Sequence, residues 1–167
     1  MMPTRPSGFT IIELMVYISI VTVAITVFSA FMLDVTKNAS RSKTIKEVQQ
    51  NAQFIMNRIT NDIRHAQAVT IPALGASGAD LTLTMSPTLT ATYHFDNAAS
   101  TVTYQQNSGT AMAISNNQVR VTNLSFSNTG SAITVTLAMA QGLATAPVAG
   151  QYNTTLTSTA VVHSSLY

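Results

Sequence analysis

The sequence predicts an α+β chain: one long N-terminal α-helix, apolar in its first half and amphipathic in its second, packed on a C-terminal antiparallel β-sheet. Three observations predict it. Residues 14–33 form a run of twenty without a charge. From Ile45 to Ala66 the apolar residues recur at spacings of three and four, the period of a helix face. Beyond Gly75 and Gly78 the apolar spacing falls to two, the period of a half-buried strand.

The helix comes first. No Gly or Pro interrupts the chain between Phe9 and Pro72. At about 1.5 Å per residue the uncharged run covers ~30 Å, the thickness of one bilayer core. Residues 9–33 are therefore expected to be a transmembrane helix and residues 34–69 its amphipathic continuation. Ile45, Val48, Ala52, Ile55, Ile59, Ile63 and Ala66 form the apolar stripe, while Lys43, Lys46, Glu47, Gln50, Asn57, Arg58, Asn61 and Arg64 fill the other positions. Arg58 and Asp62, four apart, are spaced to pair. A cleaved secretory signal fits poorly. Its apolar region is shorter and ends in small residues, and a cut beyond residue 33 would discard the start of this helix.

The sheet domain is expected over residues 70–167. Pro72 and residues 75–78 end the helix. Leu81, Leu83 and Met85 alternate with Thr82 and Thr84. Residues 90–95 and 101–105, separated by Asp96-Asn97-Ala98-Ala99, read as a hairpin. Residues 118–126 form a strand whose frame slips near Thr122-Asn123, the mark of a bulge. Ile133, Val135, Leu137 and Met139 make the next strand, residues 142–150 a loop, and residues 154–163 a last strand.

Charge is scarce and uneven. Of 14 charged side chains, eleven lie in residues 1–65; only Asp80, Asp96 and Arg120 follow. One cation in the sheet region argues against nucleic-acid binding, which needs clustered Lys and Arg. So few ionisable groups also argue against an enzyme, because acid–base and metal chemistry both require them. His65, His94 and His163 are scattered, without metal-ligand spacing or neighbouring carboxylates. Asp80, Asp96 and Asn97 fall where turns are expected, as backbone-capping residues. No metal or other cofactor is expected. The chain has no Cys, hence no disulfide or thiol chemistry.

One charge is out of place. Glu13 sits inside Gly8-Phe9-Thr10-Ile11-Ile12-Glu13-Leu14, and an acid in a membrane helix is costly unless a cation meets it. That segment, behind a short leader holding Arg5, resembles the cleavage and methylation signature of type IV prepilins and type II secretion pseudopilins. The resemblance implies a leader over residues 1–8, cleavage by prepilin peptidase between Gly8 and Phe9, and N-methylation of Phe9. It implies that Glu13 pairs with the terminal amine of a neighbouring subunit. It further implies a bacterial inner-membrane protein with its C-terminal domain outside the cytoplasm, working with an inner-membrane assembly platform and with membrane lipid around its helix. Lys37, Arg41, Lys43 and Lys46, counted alone, favour the opposite orientation. The signature takes precedence, since long domains translocate despite flanking charge.

Residues 56–66 resemble the helix segment of J-type pseudopilins and PilW-like minor pilins, which carry an acid–aliphatic–Arg step near the helix end. The absence of a Cys pair, and Ala30 at a position where major pilins carry Pro, point away from a major subunit. The expected function is a structural subunit, a minor pilin or pseudopilin in the initiating or tip complex of a secretion or pilus filament. A filament-tip adhesin or DNA-uptake pilin of the same fold, and more remotely a single-pass membrane enzyme, are the alternatives.

Overall fold

The computed structural model describes residues 8, 10–116, 118–141 and 152–162. The chain divides into two compact units, Met1–Ser42 and Lys43–Tyr167. The helix, α1, runs without interruption over Ile11–His65. It opens on Thr10, whose hydroxyl accepts a hydrogen bond from the Glu13 backbone N–H at 3.3 Å. Thr at the cap with Glu three residues on is the spacing of a capping box.

In the first unit the apolar side chains of α1 face outward: Ile12, Ile18, Val23, Phe28 and Phe31 are more than half exposed. A helix apolar all round with nothing packed on it is suited to lipid. Four hydroxyls along it are tied to the backbone. Ser19 donates to the Met15 carbonyl, Thr22 to Ile18 and Thr26 to Thr22, each at 2.8 Å. Thr36 donates to Met32 at 2.9 Å.

In the second unit the expected stripe is the buried one from Val48 onward, while its first member, Ile45, is only half-buried. Val48, Ala52, Ile55, Ile59 and Ile63 are fully covered, and Met56 and Thr60 join them. α1 ends at His65, four residues short of the expected 69. The Gln67 N–H turns to the Thr84 carbonyl at 2.8 Å, so Ala68 and Val69 belong to a strand instead. Arg64 lies in the last turn, where a cation complements the helix dipole.

The sheet region forms two antiparallel sheets where one was expected. The first has β1 (Ala68–Ile71), β3 (Asp80–Ser86), β4 (Leu89–Asp96), β5 (Thr101–Gln106) and β6 (Met112–Ala113), in that spatial order. The second has β2 (Ser77–Gly78), β7 (Val119–Asn128), β8 (Ile133–Gln141) and β9 (Asn153–Ala160), likewise in that order. The expected hairpin is β4–β5, with Tyr93 opposite Tyr104. The expected slip is a register shift between Val121 and Asn123, where β7 pairs with β8. Residues 142–150, expected as a loop, and His163 lie outside the described residues.

Alternation accounts for the burial. Leu81, Leu83, Ala91, Tyr93 and Val102 of the first sheet, and Val121, Leu124, Phe126, Val135, Leu137 and Met139 of the second, join the α1 stripe in one core. Each fully buried Leu, Ile or Val contributes about 1.5–3 kcal/mol relative to exposure. The intervening Thr and Ser remain outside. Thr82 meets Thr92 at 3.3 Å and Thr134 meets Thr159 at 3.2 Å between cross-strand neighbours.

Asn128 ties the sheets together. Its side-chain amide donates to the Pro72 carbonyl at 2.8 Å, and its side-chain oxygen accepts from the Gly130 N–H at 2.8 Å. Its backbone bonds both Gly75 and Ala76, on the segment that leads from β1 to β2. Gly130 has φ of +91°, and a Cβ there would approach Leu74 Cδ1 to 2.5 Å. The positive φ is what favours glycine in the β7–β8 turn, since the exposed Leu74 side chain can swing aside.

Candidate functional site: the N-terminal segment

The residues singled out from the sequence sit at the start of α1. Gly8 is exposed, and nothing lies within 4 Å of where its Cβ would be. A peptidase needs such open backbone. Phe9, expected both to follow the cut and to carry the methyl group, lies outside the described residues. Glu13 is an exposed residue in the first turn of α1. Its backbone N–H is held by Thr10, and among the described residues its carboxylate forms no ion pair. An acid here is favoured by the positive end of the helix dipole. Thr10 is the residue whose role sequence reasoning missed, although the Thr-x-x-Glu spacing carried the signal.

The second unit holds two further polar groupings. The buried Tyr93 donates its phenol hydrogen to Asp62 Oδ2 across the helix–sheet boundary. The Tyr93 and Tyr104 rings tilt at 54° with centroids 5.2 Å apart, and the Arg58 guanidinium lies 4.5 Å from the Tyr104 ring centroid. Burial raises the Tyr93 phenol well above its ordinary range, and the Asp62 hydrogen bond and charge push the same way, while Arg58 opposes them. Among the described residues the Arg58–Asp62 ion pair expected from their spacing does not form; Arg58 lies on the Tyr104 ring and Asp62 accepts from the Tyr93 hydroxyl, and both act on that phenol.

The other grouping corrects the expectation about histidine. His94 has a carboxylate neighbour, since Asp80 is its direct cross-strand partner and pairs with its Nδ1. Asp80 accordingly opens β3 and is not a turn cap, whereas Asp96 caps the Ala98 and Ala99 N–H groups as expected. The β3–β4 register was the missing information. Both members of the pair are half exposed, and among the described residues no three His, Cys, Asp or Glu side chains converge.

Comparison with known proteins bears on the first of these sites. Residues 4–29 match the family model described as the prokaryotic N-terminal methylation motif. No curated protein and no solved structure matches the chain. The molecule is therefore an α+β protein with an apolar N-terminal helix fit for membrane anchoring, headed by a methylation motif. That motif is the prepilin and pseudopilin signature, so the N-terminal segment of the chain is of the type IV pilin and pseudopilin kind.

Proposed function

We propose that this protein is a minor pilin or pseudopilin, a structural subunit of the initiating or tip complex of a type II secretion or type IV pilus filament. Prepilin peptidase cuts between Gly8 and Phe9 on the cytoplasmic face of the inner membrane and methylates the Phe9 amine. The sheet domain lies on the opposite side. In the filament, Glu13 meets the terminal amine of a neighbouring subunit. Its role is to set docking register; no catalysis is assigned to any residue.

The observation that carries this reading is the placement of Glu13: five residues after Gly8, in the first turn of an unbroken helix, with its carboxylate without an ion-pair partner among the described residues. A carboxylate drawn into low dielectric alone is heavily penalised, and an arriving amine removes that penalty. Breaking such a buried pair costs on the order of 3–5 kcal/mol per contact. Glu13→Ala should leave leader removal intact and strongly reduce incorporation into filaments. Intact-mass analysis of the wild-type protein should give a chain starting at N-methyl-Phe9. Retention of Met1, or a cut beyond Leu33, would sink the proposal.

A further inference from the structure

We infer that Lys37 and Arg41 form a two-pronged clamp for the phosphate of an anionic glycerophospholipid, on the leaflet where α1 leaves the membrane. The inference rests on the membrane-anchored reading of α1 and deepens it by naming a lipid class and the residues that select it. It does not depend on leader cleavage or on Glu13.

Depth is the first argument. The uncharged run ends at Leu33, so Lys37 and Arg41 begin about 6 and about 12 Å further along the axis. The headgroup layer is roughly 5–8 Å deep on each side of the hydrocarbon. Side chains of a helix lean toward its N-terminus, which here is the membrane end. Both long side chains therefore reach back toward the phosphate level. The Thr36 hydroxyl is satisfied by the Met32 carbonyl, so the helix that carries them is intact through the exit.

Electrostatics is the second. Lys37 and Arg41 stand four apart on one helix face, exposed, and neither forms an ion pair among the described residues. Like charges at this spacing weaken a helix; one phosphate between them turns that repulsion into two charge-assisted hydrogen bonds. The neighbouring cations do not share the site. Lys43 is 4.0 Å from Glu47, and Lys46 stands nine residues from Lys37 along the chain, beyond the reach of a shared phosphate. Asp34 is the single acid within one turn of Lys37, which leaves the pair with a net positive charge.

The test is native mass spectrometry of the full-length chain in mild detergent, with phosphatidylglycerol, phosphatidylcholine or inorganic phosphate added. The wild type should retain phosphatidylglycerol at several-fold higher occupancy than phosphatidylcholine. K37Q/R41Q should lose that preference, while K37R/R41K and K46Q keep it. Excess inorganic phosphate should not displace the lipid; displacement would make free phosphate the ligand and overturn the lipid assignment. Equal retention of the two lipids by the wild type, or a preference that survives K37Q/R41Q, would also overturn it. If the chain still fractionates with membranes in those cases, the anchoring reading stands and the clamp alone fails.

Discussion

Replacing Tyr93 with Phe removes one oxygen and one hydrogen bond while keeping the ring. The ring is wholly buried between α1 and the first sheet, so packing against Tyr104 is retained. What is lost is a hydrogen bond to a carboxylate, about 1.5–3 kcal/mol for a charged acceptor. Asp62 is only half-buried and regains some water, which places the expected cost near the lower end, about 1.5–2 kcal/mol. For a unit of this size that lowers Tm by roughly 6–8 °C. The assay is urea unfolding of the full-length protein in detergent, followed by circular dichroism. Asp62→Ala should cost more, because it strands a buried phenol. The double variant should show a coupling of at least about 1 kcal/mol. Additive effects within about 0.3 kcal/mol would refute the reasoning, since they would mean that the two groups do not hold each other.

Three other outcomes follow from the same packing. The Tyr93 phenol is raised above its ordinary range, so its contribution is fully present below pH ~10 and is lost as pH rises beyond it; the stability of Tyr93→Phe should fall less steeply in alkaline titration. Asn128→Ala should cost about 2–3 kcal/mol, because the Pro72 carbonyl and Gly130 N–H each lose a partner; a change under 0.5 kcal/mol by urea unfolding would contradict the bridging role. The buried Thr60 hydroxyl has no hydrogen-bond partner among the described residues. Thr60→Val, which keeps the shape, should therefore raise stability by up to about 1 kcal/mol in the same assay.

Elements with a strong period were legible in advance. The stripe from Val48 to Ile63 reads off at helical spacing because burial and period coincide. The β4–β5 hairpin and the β7 bulge were legible because each interrupts an alternation that otherwise runs clean. The short strands β1, β2 and β6 were not, since two to four residues cannot establish a period. The division into two sheets was hidden for a different reason. It depends on which strands become neighbours, and Asn128 reaches Pro72 across 56 residues. Tyr93–Asp62 and His94–Asp80 were illegible for the same cause, because each needs a register between segments. The N-terminal segment lies at the other extreme, because its information is local: Gly8, Phe9, Thr10 and Glu13 fall within six residues.

The hydroxyls of the apolar helix have a consequence for movement. Ser19, Thr22, Thr26 and Thr36 each carry their own acceptor, four residues back along the chain. A polar group served in this way asks nothing of its surroundings. When lipid tails beside it are exchanged for another helix, no hydrogen bond has to break and none has to be found. At these four positions α1 makes no polar demand on its neighbour, and there the choice falls to shape. Those four hydroxyls therefore set no barrier to passage of the helix from one surrounding to another.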